Sequence, residues 1–99
     1  MVAVIVRHRV RDFDAWKAVF DEHGAVRRGH GAIDHRLYRV AGDPKDVVIV
    51  NTFRDAAGAQ AFMDDPSLPE VMHRAGVEGA PQITVVEQAE IVDYSVAVD

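Results

Sequence analysis

The sequence contains no cysteine, and its aromatic residues are few, with one tryptophan, two tyrosines and four phenylalanines among 99 residues. The lack of cysteine excludes disulfide bonds, thiolate nucleophiles and zinc sites built from cysteine. Lysine and arginine number 11 against 16 aspartates and glutamates, which gives a formal net charge of -5. Because phosphate groups need clustered cations, an acidic chain without a basic stripe predicts no nucleic-acid partner.

Long hydrophobic runs are also absent. The N-terminal stretch MVAVIVRHRV has no basic leader and no small-residue cleavage site, and its apolar part is too short to span a bilayer. There is no phosphate-binding loop, dinucleotide-binding glycine motif or nucleophile elbow, which argues against nucleotide cofactors and acyl-enzyme chemistry. We therefore expect a soluble, cytoplasmic protein with one domain over 1–99, no membrane partner and no cofactor.

The N-terminal part of the chain shows the pattern of a strand followed by a helix. Apolar and polar residues alternate over 2–10, and one side of this strand carries Val2, Val4, Val6, His8 and Val10. Asp12 is a suitable N-cap for an amphipathic helix over about 13–28, which the GHG segment at 29–31 ends. The apolar stripe of this helix is formed by Phe13, Trp16, Phe20 and His23.

A β-hairpin is predicted next. Strand patterns over 32–40 and 47–53 flank the segment AGDPKD at 41–46, whose composition is typical of a turn. The second of these strands, VVIVNTF, is a nearly continuous β-branched run, as expected of a strand that is covered on both faces. Asn51 is the polar exception inside it.

The remaining third predicts two helices and a final strand. Asp55 begins a helix whose apolar side we assign to Ala57, Ala61 and Phe62. Ser67 caps a short third helix, and GVEGAP at 76–81 is predicted to be a loop. The rest is strand-like almost to the end, which is long for one strand and predicts a bend near 88–90.

The order β-α-β-β-α-β favours an α+β, ferredoxin-like fold with a four-stranded antiparallel sheet and helices on one face. The opposite face would still carry apolar or aromatic side chains, namely Ala3, Ile5, Tyr38, Val40, Val48 and Val50. Such a patch is costly in water, so we expect a homodimer in which two sheets pack face to face, with Tyr38 in the interface. The C-terminal extension over 89–99 could pair with the partner's sheet edge.

Three segments carry a resemblance to a known family: VRHRVRDFDAWKAVFDEH, VVIVNTFRDAAGAQAFMDDPSL and MHRAGVEGAP. With them the chain resembles the dimeric α/β-barrel superfamily, which includes antibiotic-biosynthesis monooxygenases, small polyketide cyclases and haem-degrading monooxygenases. The resemblance covers residues 2 to about 88. It implies a dimeric α/β barrel that binds an aromatic or polyketide-like molecule between sheet and helices, and that oxygenates or cyclises it without a cofactor.

The resemblance also implies roles for individual positions. By strand position, His8 corresponds to the first-strand asparagine of the monooxygenase branches, and Phe53 to a tryptophan of the third strand. Met72 falls closest to the helix histidine of the haem-degrading members, and His73 is one residue further on. Because none of the three haem-degrading positions is reproduced, we do not expect haem degradation.

Strand alternation places His8, His35 and Asn51 on the helix-facing side of the sheet, together with Phe53. A neutral imidazole near a carboxamide can take a proton from a phenol or enol and hold the resulting anion. We therefore predict His8 as the catalytic base, with Asn51 and His35 holding the oxyanion. The predicted substrate-binding residues are Phe53, Trp16, Phe20, Phe62, Met72 and His73.

Each of these residues also has a structural interpretation. His8 and Asn51 can be core residues with satisfied hydrogen bonds, and Trp16 and Phe20 can simply fill the core. The alternative function is then a non-catalytic small-molecule-binding or structural dimer. An open pocket of roughly 300 Å³ or more, with His8 and Asn51 lacking partners, would favour the enzyme.

The five histidines also raise the question of a metal site. No pair has the spacing of a helical histidine site or a zinc finger, so no metal is expected. We expect His23 and His30 at surface and cap positions.

Overall fold

The computed structural model describes residues 1–95 of the chain. Its elements in chain order are β1 (Val2–Val10), α1 (Phe13–Glu22), α2 (Gly24–Gly29), β2 (Ala32–Val40), β3 (Asp43–Phe53), α3 (Ala56–Met63), α4 (Leu68–Arg74) and β4 (Val77–Glu87). The strands form one sheet in the order β2-β3-β1-β4, and each neighbouring pair is antiparallel. This confirms the predicted α+β, ferredoxin-like fold.

The central strand β1 forms the floor of the core. Its burial alternates along the whole strand, and the buried side consists of Val2, Val4, Val6, His8 and Val10. In the register with β3, Val4 lies opposite Asn51, and His8 lies opposite Val47. The predicted helix-facing side of β1 is therefore confirmed, with His8 as its polar member.

The predicted helix over 13–28 is two helices. Asp12 caps α1 as expected, because its Oδ2 accepts a hydrogen bond of 2.8 Å from the Ala15 N–H. The helix ends at His23, and α2 restarts at Gly24, a residue of low helix propensity. Arg27 on α2 is buried.

The predicted hairpin is present, but its turn is shorter than 41–46. Only Ala41 and Gly42 lie outside the two strands, and β3 already begins at Asp43. Two ion pairs between β1 and β3 explain the difference: Arg9 to Asp43 at 2.6 Å and Arg7 to Asp46 at 2.7 Å. These ion pairs hold residues 43–46 of β3 against β1, although the composition of this segment is that of a turn.

The helices α3 and α4 cover the other half of the sheet. Asp55 caps α3 by accepting a hydrogen bond of 2.8 Å from the Gly58 N–H. The buried residues of α3 are Ala59 and Phe62. The prediction that Ala57 and Ala61 share the buried side is wrong, because the helix is rotated so that both are exposed.

The last strand begins earlier and ends sooner than predicted. Residues 77–81, predicted as loop, are the first part of β4, and their pairing with β1 is irregular between Arg7 and Arg9. The strand ends at Glu87, and residues 88–95 form no strand within this chain. The rest of the predicted extension over 89–99 lies outside the described residues, and its pairing with a partner stays a prediction.

The sheet face opposite the helices is apolar and uncovered. Ala3, Ile5, Val48 and Val50 are only partly buried there, and Tyr38 is 52% exposed. Within residues 1–95, no helix is long and apolar enough to cross a membrane.

Candidate functional site

A cavity of about 60 Å³ lies between the helix-facing side of the sheet and the helices. Most of its wall is apolar, with aromatic side chains from α1 and α3 and aliphatic ones from β1, β3 and α4. Four polar side chains also line it, and these are His8, His23, Arg27 and Asn51. The chemistry of the cavity therefore depends on how these four groups are satisfied.

His8 is buried in the cavity wall without a hydrogen-bond partner. It is 7% exposed, and neither ring nitrogen has a partner among the described residues. The Trp16 ring contacts it edge-on, with 5.7 Å between the ring centroids. Burial lowers the pKa of His8, because desolvation disfavours the charged imidazolium. At neutral pH the ring is therefore uncharged and able to accept a proton.

Asn51 is the second buried polar group without a partner. It is 3% exposed, and its Oδ1 makes no hydrogen bond within the described part of the chain. Leaving such a group unpaired costs about 1–3 kcal/mol. A polar ligand group or bound water would recover this cost.

The distance between His8 and Asn51 limits what they can do together. Asn51 lies opposite Val4, and His8 is four residues further along β1. At about 3.3 Å per residue, the two positions are roughly 13 Å apart along the strand. They can contact the two ends of one elongated molecule, but they cannot both act on the same atom.

The aromatic residues form a connected wall. Trp16 stacks on Phe20 with 4.9 Å between centroids, and both line the cavity, as do Phe62 and Met72. Phe53 is fully buried behind this wall, 5.4 Å from the Phe62 ring, and does not line the cavity. The structure thus brings four of the six predicted binding residues to the cavity.

The two remaining predicted histidines lie elsewhere. His35 is the cross-strand partner of Asn51, as predicted, but it is exposed and borders a neighbouring cleft. It contacts the Phe20 ring edge-on, with 5.0 Å between centroids. His73 is exposed on α4 and does not line the cavity.

Sequence reasoning missed two polar residues of the cavity. His23 was expected at the surface, yet it is buried and lines the cavity, and Arg27 lines it as well. A signal was present, because positions 23 and 27 continue the stripe that begins with Phe13, Trp16 and Phe20. Because charged and titratable side chains are mostly found at the surface, the prediction placed His23 there in spite of its position on the stripe.

A hydrogen-bonded chain links the helices beside the cavity. Asp65 accepts hydrogen bonds from His30 Nε2 at 2.8 Å and from the Ser67 hydroxyl at 2.6 Å. His23 Nε2 lies 3.0 Å from the same Ser67 oxygen. These hydrogen bonds hold the pKa of Asp65 well below its usual range.

This chain of groups resembles a catalytic triad in composition but not in arrangement. In a triad the carboxylate orients the histidine and the serine hydroxyl faces the substrate, whereas here the hydroxyl proton goes to Asp65. The network instead fastens the start of α4 to α1 and α2. Among residues 1–95, no three His, Asp or Glu side chains are grouped as a metal site would require.

The cavity lining is partly exposed on the side of α4 and β4. The lining residues from this side are partly exposed, including Val71, Met72 and Ile83, which is 43% exposed. No residue of α4 is buried. The wall of the cavity is therefore least firmly packed along α4.

Comparison with known proteins identifies the fold. No protein-family model and no curated protein matches the sequence. Among solved structures, SnoaB of Streptomyces nogalater, a cofactor-independent oxygenase, superposes with a TM-score of 0.75 at 14% identity, over 92% of this chain and 95% of SnoaB. Rv0793 of Mycobacterium tuberculosis gives a TM-score of 0.68 at 21% identity, over 93% and 98% of the two chains.

A further structure is that of an antibiotic biosynthesis monooxygenase, with a TM-score of 0.66 and 14% identity over 91% of this chain and all of the other. These identities establish a common fold and leave the reaction open. The resemblance seen in the sequence is thus confirmed for the architecture, and the chain has the ferredoxin-like fold of the antibiotic biosynthesis monooxygenase structures.

Proposed function

We propose that this chain is a cofactor-independent enzyme that acts on an aromatic or polyketide-like small molecule held in the central cavity. The observation that carries the proposal is that two buried polar groups, His8 and Asn51, face the same cavity without partners among the described residues. The aromatic walls suit a planar ring system, and SnoaB, which has this fold, is a cofactor-independent oxygenase.

His8 is the catalytic base of the proposed reaction. Its uncharged imidazole removes a proton from a phenol or enol of the ligand, and the electron pair stays on the ligand as a phenolate or enolate. In an oxygenation, the electron-rich ring carbon of this anion gives its electrons to dioxygen and forms a C–O bond, and the peroxide takes the proton back from His8. The hydroperoxide then loses water, together with the hydrogen on the same carbon, to leave a carbonyl. In a cyclisation, the nucleophilic carbon of the same enolate adds to a carbonyl of the ligand, and the alkoxide that forms takes the proton from His8.

Asn51 binds the far end of the same ligand. Its Nδ2 can donate a hydrogen bond to an oxygen that gains negative charge when the proton is lost at His8, and its unpartnered Oδ1 can accept one from a hydroxyl of the ligand. The separation of roughly 13 Å between the two positions fits a ligand of several fused rings, through which charge is delocalised. His35 borders a different cleft, so the proposal gives the oxyanion role to Asn51 alone.

Such a ligand requires the cavity to widen. At about 60 Å³ the cavity is far below the roughly 300 Å³ of ordinary ligand sites. The weakly packed α4, held at its start by the Asp65 and Ser67 network, is the wall that we expect to move outward. Closure of α4 over the ligand would exclude water from the reaction.

The small volume also favours the alternative, a non-catalytic binding or structural dimer. In that case the cavity holds one or two water molecules that satisfy His8 and Asn51. In both cases we propose that a second copy covers the apolar sheet face, which would complete a dimeric α/β barrel.

Oxygen consumption and product formation with a panel of polycyclic phenols in air separate these functions. We expect turnover by the wild type, a loss of at least 100-fold in kcat for His8→Ala, and a raised KM or lowered kcat for Asn51→Ala. His73→Ala is the matched control and should keep full activity, because His73 is exposed and outside the cavity. Full turnover by both cavity variants would refute the proposed roles.

A further inference from the structure

Arg27 is a buried cation without a hydrogen-bond or salt-bridge partner in the described chain, although the charge of Asp21 acts on it from a longer distance. It is 5% exposed, and its guanidinium makes no hydrogen bond or salt bridge within residues 1–95. Its Cζ lies 3.7 Å from the centroid of the Phe20 ring, so one face of the guanidinium is covered. Burial lowers the pKa of Arg27 to about 10, at which the group is still charged at neutral pH. Buried charges normally have a counter-ion, because a ring contact offsets only part of the lost hydration.

The Arg27 side chain lies where the central cavity meets a second cleft. This cleft has a volume of about 280 Å³ and lies between α1, α2 and β2. Arg27 lines both the cavity and the cleft, and Arg28 and His35 line the cleft only. A ligand could therefore extend from the cavity past Arg27 into the cleft.

Gly24 leaves an open position between two guanidinium groups. A Cβ atom on Gly24 would stand 3.5 Å from Arg27 Nη2 and 3.3 Å from Arg28 Nη1. Two cations that approach one point repel each other unless an anion lies between them. No free atom can lie at the Cβ point itself, which is one bond length from Cα, but a carboxylate in the cleft outside Gly24 would approach both guanidinium groups, whose N–H groups match the geometry of carboxylates.

The acidic residues of the cleft leave this position free for an anion. Asp21 lines the cleft and its charge raises the pKa of Arg27, but its carboxylate is bound by Lys17 Nζ at 2.6 Å. Asp34 lies on the exposed edge strand β2, next to His35. Neither carboxylate forms a salt bridge with Arg27 or Arg28 in the described chain.

We infer that Gly24, Arg27 and Arg28 form a binding site for a carboxylate group of the ligand. The carboxylate lies between the two guanidinium groups above Gly24, and the apolar part of the ligand extends past Arg27 into the central cavity. The ligand is then an aromatic acid. That its apolar part is aromatic rests on the proposed function of the cavity. Arg27 supplies binding and orientation, and no proton transfer is assigned to it.

Calorimetric titration with three probes tests the site: 3-phenylpropanoate, its uncharged analogue 3-phenylpropanamide, and acetate. We expect the wild type to bind the acid at least tenfold more tightly than the amide. Arg27→Gln should abolish this preference, and Gly24→Ala should reduce it, because the added methyl group would stand 3.5 Å from Arg27 Nη2 and 3.3 Å from Arg28 Nη1 and narrow the space for the carboxylate. Arg28→Gln should reduce it, and Lys45→Gln on the distant hairpin should leave it unchanged.

The Gly24→Ala variant keeps the test independent of folding, because alanine is favoured over glycine in a helix and Gly24 is helical. Its melting temperature and Trp16 fluorescence should match the wild type. Equal affinity for acid and amide would overturn the carboxylate site and leave the cavity proposal intact. Binding of acetate with a Gly24-dependent affinity, but not of the amide, would support the site and refute the cavity proposal. Failure of both acid and acetate to bind would overturn the inference.

Discussion

The unpartnered polar atoms of His8 and Asn51 work against folding. A group buried without a hydrogen bond loses its water and receives nothing in return. Their presence inside an apolar cavity is typical of a functional site, where stability is sacrificed for binding or catalysis. A residue that served packing alone would be expected to be leucine or valine at either position.

This trade-off gives a prediction for Asn51→Leu. The substitution removes a buried amide oxygen and replaces it with a side chain of similar size, so we expect the free energy of unfolding to rise by about 1 kcal/mol. Urea denaturation followed by Trp16 fluorescence measures this change, and turnover should fall in the same variant. A loss of stability would instead indicate that Asn51 is satisfied by structural water and belongs to the core.

The buried histidines predict a stability that falls in mild acid. Burial lowers the pKa values of His8 and His23 below the unfolded value of 6.5. Between the folded pKa values and 6.5 the unfolded chain binds more protons, so the free energy of unfolding decreases as the pH falls below about 6.5. Above that pH both states are neutral, and the contribution is fully present.

Urea denaturation between about pH 8 and pH 5 measures this slope. We expect His8→Leu to flatten it, because one of the groups that must remain neutral in the folded state is gone. His73→Leu is the control, since its side chain is exposed. An unchanged slope in His8→Leu would contradict a buried, neutral His8.

Among the secondary-structure elements, β4 has the most irregular contact with the site. The pairing of β1 with β4 is in register up to Arg7 and Gln82, and resumes at Arg9 and Glu78. His8 lies between these pairs, and a polar cleft of about 410 Å³ borders it there. The extra residues of β4 include Gly79, whose φ of +74° is a left-handed conformation.

Gly79→Ala tests how far this irregular segment positions His8. Alanine at a left-handed φ costs about 1 kcal/mol, and the strain should shift β4 relative to His8. We expect lower stability in urea denaturation and a reduced kcat. Gly29→Ala is a matched control, because a Cβ atom on either glycine would meet no other atom within 4 Å, and of the two only Gly79 has a positive φ. Equal effects of the two substitutions would contradict a role for the backbone conformation.

For the molecule as a whole, the uncovered sheet face is the dominant feature. Aliphatic residues from β1 and β3 are half-buried in its centre, and Tyr38 on β2 is largely exposed. A chain of this size has a small core, so covering this face with a second copy would add a large share of its buried apolar area. The proposed dimer thus follows from surface chemistry and is independent of the proposed reaction.

Tyr38→Glu tests the sheet-to-sheet dimer. A carboxylate within an apolar interface loses its hydration, so we expect the variant to be monomeric in light scattering at micromolar concentration, where we expect the wild type to be dimeric. Ala61→Glu is the control, because Ala61 is exposed on α3, on the helix side of the sheet and away from this face. A monomeric wild type would refute the dimer directly.

The sequence determined those features that depend on local patterns. Alternation placed His8 and Asn51 on the helix-facing side, the caps Asp12 and Asp55 marked two helix starts, and element order led to the strand order of the sheet. The first two depend on residues within one strand or one helical turn, where backbone geometry links the spacing of residues to the direction of their side chains. The strand order follows from the order of the elements along the chain.

Only the tertiary structure decided which polar groups share the cavity and how large the cavity is. Packing against the sheet buried Arg27, and ion pairs between two strands far apart in the sequence extended β3 to Asp43. Burial depends on which residues from elsewhere in the chain pack against a side chain. Local spacing predicts the direction of a side chain but not what covers it. The proposed carboxylate site beside Gly24 therefore depends on the packing of α2 against α1 and β2, which brings a buried cation and an exposed cation to the same cleft.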